Sequence, residues 1–241
     1  MIVFETLIVE KADTVVVITL NRPDVMNIHN TAMRDELYEV LSAIREDDET
    51  KAVLFRGAGE KAFCAGADLT EFLTAPPPAT ARAVRFDADL WELFTTMPQP
   101  LICAVHGYCL GSGIEIALCC DIVFASDDAR FGLPEIGLGI IPAAGGTQTV
   151  PRTVGGSAAL DMMLTNRWLT AHEARRAGLV NRVVPRERLL TEAHAALRRI
   201  AARNPRTVRA AKEAVNRGLD LTLAQGLELE RRLVLALWGQ I

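Results

Sequence analysis

Gly111-Ser112-Gly113-Ile114-Glu115-Ile116-Ala117-Leu118-Cys119-Cys120 decides how this chain is read. A glycine-rich turn opens into a run apolar enough for a protein core, and one carboxylate sits inside it. An ionised carboxylate in such surroundings costs several kcal/mol unless it is paired, solvated by a functional water or kept neutral. Backbone N–H groups or an arginine would satisfy it structurally, whereas catalysis is the usual reason to keep it. A second carboxylate, Glu135, follows Pro134 and precedes Ile136-Gly137-Leu138-Gly139-Ile140-Ile141-Pro142. By itself Glu135 reads as the solvated residue of a turn.

A second small-residue stretch, Phe63-Cys64-Ala65-Gly66-Ala67-Asp68, precedes an apparent helix over 69–73. Small residues allow a ligand close to the backbone, and a helix start leaves free N–H donors. Gly111-Ser112-Gly113 has the same character. Two such donors converging from separate segments make an oxyanion hole. Each motif alone reads equally as a glycine turn serving tight packing. Joined to Glu115 and Glu135, they suggest an acid/base pair facing a stabilised oxyanion.

The chain of 241 residues carries a net charge of −4, which argues against a general polyanion binder. Half of it is hydrophobic, yet no apolar run approaches the ~20 residues that span a bilayer. Met1-Ile2-Val3-Phe4 leads straight into Glu5, without the pattern of a secretory signal, so a soluble cytoplasmic protein is expected. The five cysteines are odd in number and fit no zinc spacing; they read as small buried free thiols. No base is evident beside Cys64, which is therefore not read as a nucleophile. His106 is expected to make a local backbone hydrogen bond, and no histidine cluster, P-loop or Rossmann fingerprint suggests a metal or nucleotide cofactor.

Strands are expected over 4–9, 15–20, 52–55, 101–105 and 121–124. Asn30 or Thr31 caps a helix carrying Met33, Leu37, Val40, Leu41 and Ile44 on one face. Pro76-Pro77-Pro78 breaks the chain before an expected helix over 80–96. The alternation predicts an α/β core with a sheet covered on both sides. The last third turns helical: Thr170-Ala171-His172-Glu173 and Thr222-Leu223-Ala224-Gln225 have capping-box spacing, and Gly178 is placed to end the first of these helices. Helices are also expected over 189–203 and 207–217.

The chain resembles the enoyl-CoA hydratase/isomerase (crotonase) superfamily over nearly all its length, most closely the hydratase branch. The carriers are Asn21-Arg22-Pro23 with Asn27, Ala65-Gly66-Ala67-Asp68, and His106-Gly107-Tyr108 leading to the 111–115 turn. Asp121, Pro134-Glu135, Pro142-Ala143-Ala144-Gly145-Gly146-Thr147-Gln148, and Ala177-Gly178-Leu179-Val180 before Val183-Val184-Pro185 complete the series. The resemblance implies a spiral of ββα turns over residues 1–185 and a helical region over 186–241 that drives trimerisation, often as a dimer of trimers. It implies that the Ala67 and Ser112 amides polarise the thioester carbonyl of an acyl-CoA, with Ser112 where relatives often have glycine. It further implies that Ala65, Gly66, Asp68, Leu69 and Gly111 line the substrate, and that no cofactor is needed because the CoA thioester is itself the substrate.

Glu115 and Glu135 match the positions of the two hydratase glutamates. The implied reaction is syn addition of water to a 2-enoyl thioester, with Glu115 accepting the water's proton and Glu135 delivering one to Cα. Trp91 and Phe94, on a stripe with Phe86 and Leu90, are candidates for limiting acyl length, although the same stripe reads as plain core. Ile28 replaces a small residue common after the motif asparagine. The C-terminus stops about where relatives continue into a basic tail, so CoA contacts are expected from a neighbouring subunit or with a weaker grip. The alternatives are a Δ3,Δ2-enoyl-CoA isomerase, a hydratase for a cyclic or branched enoyl-CoA, and a crotonase-fold protein binding RNA or a complex. The charge and the intact glutamate pair weigh against the last, and neither nucleic acid nor membrane is an expected partner.

Overall fold

The computed structural model describes residues 1–72 and 89–239. The proline run at 76–78, Phe86 and the first part of the helix expected over 80–96 lie outside the described residues.

Two sheets organise the described residues. In the first, seven strands run in the order β1 (Ile2–Val3), β2 (Leu7–Ala12), β3 (Val15–Leu20), β4 (Ala52–Gly57), β6 (Leu101–Val105), β8 (Ile122–Ser126) and β11 (Arg182–Val184). The first three are antiparallel neighbours; from β3 to β11 every pair is parallel. The second sheet has the order β10 (Leu169–Thr170), β9 (Arg130–Gly132), β7 (Tyr108–Leu110) and β5 (Ala62–Cys64). Each of β4, β6 and β8 is thus followed by a short strand of the second sheet and then by a helical turn. That is the expected ββα spiral.

Helix α1 (Thr31–Glu46) forms where the sequence predicts it. The Asn30 side chain accepts the Met33 amide, and Met33, Leu37, Val40, Leu41 and Ile44 are buried. These residues pack with Val16, Ile18, Val53, Phe55 and Cys103 in one core layer. The opposite face of β3, β4 and β6, carrying Val17, Leu54, Ile102 and Ala104, is covered by α8 (Leu189–Ala201) through Leu189, Ala193, Ala196 and Leu197. Burial on both faces explains why β6 reads as an unbroken apolar run rather than an alternation.

Between these lie α2 (Leu69–Phe72), α3 (Leu90–Thr95), α4 (Ser112–Leu118), α5 (Gly146–Val154), α6 (Gly156–Thr165) and α7 (Ala171–Ala177). Asp89 corrects one expectation: it is extended, and its carboxylate accepts the amides of Trp91 and Glu92, so a helix starts at Leu90 instead of running through from residue 80. The Thr170 capping box forms on α7, which Gly178 ends in the left-handed conformation. The C-terminal helices α9 (Pro205–Gly218) and α10 (Leu223–Trp238) pack on each other, and Lys212 anchors α9 to the sheet through Asp121 (2.7 Å) and the Gln99 carbonyl (2.9 Å). The Thr222 capping box opens α10. Among the described cysteines all are free; Cys119 is half-buried and the others are buried.

Candidate active site

Strands β5 and β7 are parallel neighbours, so the segments that leave them, 65–68 and 111–115, lie side by side. A Cβ built on Gly111 would sit 3.5 Å from the Gly66 Cα and 2.5 Å from Glu135 Oε1. With φ at +50°, Gly111 also occupies a conformation that other residues rarely adopt. Only glycine fits both constraints, and the turn it makes delivers Ser112 as the first residue of α4. Neither the Ser112 amide nor the Ala67 amide donates to a protein acceptor among the described residues. Ala67 lies where the chain pairs with His29: the His29 amide donates to the Gly66 carbonyl (2.8 Å), and the Asp68 amide donates to the His29 carbonyl (2.8 Å).

Glu115 stands one turn into α4 and is 2% exposed. Its Oε1 accepts two amides, Ala144 at 2.9 Å and Gly146 at 2.8 Å, the latter the first residue of α5. Both bonds fall on Oε1, which leaves Oε2 with the capacity to take a proton. Burial pushes the carboxyl up to about 7, helped by the neighbouring Glu135 charge; the Gly146 and Ala144 amides and the Ser112 hydroxyl pull the other way. A carboxyl in that range exchanges protons readily at neutral pH.

Glu135 sits on the 3-10 turn Pro134–Leu138, where the proline fixes the first helical position. Burial raises its carboxyl above the ordinary value, and Oε2 is buried with no hydrogen-bond partner among the described residues. Buried carboxyl oxygens ordinarily have one. Two carboxyls of raised proton affinity therefore adjoin two amides with no internal acceptor.

The remaining candidates divide. The Ala65 amide is used internally, on the Met26 carbonyl (3.1 Å), and Leu69 is 46% exposed at the start of α2. The carboxylate of Asp68 is committed to the protein: it accepts from Thr70 Oγ1 (2.6 Å) and from Arg22 (3.2 Å), and the Thr70 hydroxyl and Arg22 hold it below the usual carboxylate range. Arg22 also donates to the Ile28 carbonyl, while Asn27 accepts the Arg22 amide and donates to the Ala58 and Ala62 carbonyls. The Asn21–Asn27 motif thus holds the loop behind residues 65–68. Trp91 is half-buried, its ring 6.1 Å from both His29 and Phe94, and Phe94 is fully buried against Phe55. Phe94 belongs to the core.

His106 is elsewhere. It lines a cavity of about 670 Å³ with Arg56 and Arg186, a cavity to which neither glutamate contributes. The side-chain Nε2 has no partner among the described residues, so the local bond expected of it does not involve that nitrogen. No group of three or more potential metal ligands occurs among the described residues. The amides of Ala144 and Gly146 are contacts that sequence reasoning missed. Their signal was the glycine pair Gly145-Gly146 at a helix start, a place where free N–H donors are expected.

The family model described as enoyl-CoA hydratase/isomerase matches residues 10–239. The chain belongs to the enoyl-CoA hydratase/isomerase family. It is 44% identical over 239 residues to a probable enoyl-CoA hydratase of Rhizobium meliloti, covering 98% of this chain and 91% of that one. It is 40% identical to the mitochondrial enoyl-CoA hydratase of Pongo abelii, covering 95% and 79% of the two chains. The crystal structure of enoyl-CoA hydratase from Bacillus anthracis superposes with a TM-score of 0.89 at 39% identity, covering 95% and 90%. The ββα spiral followed by a helical C-terminal region is therefore the fold of this family.

Proposed function

We propose that this chain hydrates a 2-enoyl-CoA thioester to a 3-hydroxyacyl-CoA. The observation that carries the reading is the meeting of two carboxyls of raised proton affinity with two internally unused amides. In this reading the thioester oxygen sits between the Ala67 and Ser112 amides, which stabilise the negative charge that develops on it as water adds to Cβ. One such donor is worth ~10²–10³ in rate. Glu115, ionised, orients the water through Oε2 and takes its proton while the hydroxyl bonds to Cβ. Glu135, protonated, gives its proton to Cα on the same face. The pair ends with the proton exchanged between its members, and transfer back resets it.

The backbone of Ala65, Gly66 and Gly111 would border the thioester, and Leu69 would present an apolar surface to the CoA chain. Asp68 would act through Arg22 by holding the loop, and Trp91 would border the acyl group. No cofactor takes part in these steps. Helix α10 leaves Leu223 80% and Trp238 66% exposed, which supports assembly of like chains, and family membership points to a trimer or a dimer of trimers. The charge of −4 gives no support to a nucleic-acid partner, and no described helix is long and apolar enough to cross a membrane.

Incubation with a 2-enoyl-CoA and, separately, a 3-enoyl-CoA, followed by mass spectrometry, tests the reaction class. Gain of one water by the 2-enoyl thioester supports hydration. Isobaric conversion of the 3-enoyl thioester, with no hydrated product from either substrate, would replace the reading by isomerisation.

A further inference from the structure

The Ala67 amide shares a peptide plane with the Gly66 carbonyl. In a trans peptide the C=O and N–H point in opposite directions, so whatever fixes the carbonyl fixes the amide. Gly66, at φ +117°, is in a conformation disfavoured for residues with a side chain, and its carbonyl needs outside support to hold one orientation. It has two donors: the His29 amide at 2.8 Å and the Cys64 thiol at 3.7 Å. The first is main chain. The second is a side chain of this sequence, and it is fully buried. Burial and the neighbouring Glu115 charge raise the thiol to about 11, against the pull of the Gly66 and His29 backbone, so it carries its proton at neutral pH and remains a donor.

We infer that Cys64 is a positioning residue for the oxyanion hole: its thiol, with the His29 amide, aims and polarises the Gly66–Ala67 peptide so that the Ala67 N–H faces the thioester oxygen. Hydrogen bonding to a peptide carbonyl strengthens donation by the N–H on the same peptide, because the group polarises as a unit. The inference rests on the hydratase reading above. It gives a buried thiol without a nucleophile's surroundings a part in the reaction that needs no thiolate. A thiol is a weak donor, so the effect is few-fold rather than orders of magnitude.

The test uses the full-length protein and an aryl-conjugated enoyl-CoA, whose extended conjugation disfavours hydration and whose absorbance reports polarisation of the carbonyl. Bound to wild type, its band should move to longer wavelength. Cys64→Ala should shrink that shift and lower kcat for crotonyl-CoA about two- to tenfold with KM little changed, since the bond strengthens as charge develops. Cys64→Ser, which keeps a donor of similar size, should restore both. Cys103→Ala removes another buried thiol from the same core, on β6 and with no hydrogen bond to the Gly66 carbonyl, and should leave both unchanged. Equal losses in Cys64→Ala and Cys103→Ala, or an unaltered shift in folded Cys64→Ala, would overturn the inference and leave the hydratase reading standing. Absence of any shift in wild type would overturn both.

Discussion

Glu115 and Glu135 are the same side chain set in two kinds of ground. Glu115 is built into α4, inside the core, with Oε1 held by two amides from a segment about thirty residues away. Glu135 rides on a short 3-10 turn, is less deeply enclosed, and has an oxygen without a partner among the described residues. Burial raises both; two amides from a distant segment restrain the shift of Glu115, whereas that of Glu135 is restrained by its own backbone alone. Environment, rather than residue type, separates two carboxyls into different acid/base roles. The rigid one suits a water-holding base; the one on the turn suits an acid that must reach the substrate.

The largest expected effect breaks the pair. Glu135→Gln should lower kcat for crotonyl-CoA by ~10²–10⁴ with a preserved far-ultraviolet circular dichroism spectrum. The double variant with Glu115→Gln should be little worse than either single one, because groups that act as a unit are not additive. Multiplying losses in steady-state kinetics would show instead that the two act independently. Next, Gly111→Ala places a methyl group against Glu135 Oε1 and strains a left-handed turn. It should cost about 1–3 kcal/mol in urea unfolding and reduce kcat by at least ~10-fold.

The pH dependence sharpens the comparison. The Glu115 carboxyl lies near 7 in the folded chain against 4.5 for the free group, so folding favours its protonated form. The wild type should therefore lose stability as pH rises from about 4.5 through 7, up to about 3 kcal/mol once the group is ionised. Glu115→Gln has no such loss: its urea midpoint should exceed that of wild type at pH 8, with the gap closing at pH 4. The reaction needs one ionised and one protonated member of the pair, so kcat/KM of wild type should be bell-shaped, falling on the acid side as both carboxyls protonate and on the alkaline side as both ionise. Smallest of all, Thr170→Ala removes the α7 cap and should cost about 1 kcal/mol. Its pH–rate profile should coincide with that of wild type; displacement would mean that the profile reports global stability rather than Glu115.

Much of the fold was legible where the signal is local. Strands at Val15–Leu20 and Leu101–Val105, the buried stripe of α1 and both capping boxes follow from periodicity and cap chemistry within a few residues. Strands β5, β7 and β9, at three residues each, are too short to show a period, and they are the ones that bring the two amide turns together. Asp89 broke an expected helix because a cap bond outweighs an apolar pattern that continues past it. At the site, Glu115 announced itself as a charge in an apolar run. Its partners did not, since Ala144 and Gly146 reach it through folding alone. The family resemblance implies that Asp68 is a substrate contact; its ion pair with Arg22 spans a separation that sequence spacing does not reveal.

The most direct test follows the ultraviolet absorbance of the conjugated thioester when crotonyl-CoA is added to wild type and to folded Glu115→Gln. Rapid loss of the band with wild type, nearly absent in the variant, is the predicted result. An unchanged band with folded wild type, or equal loss in both proteins, would contradict the account.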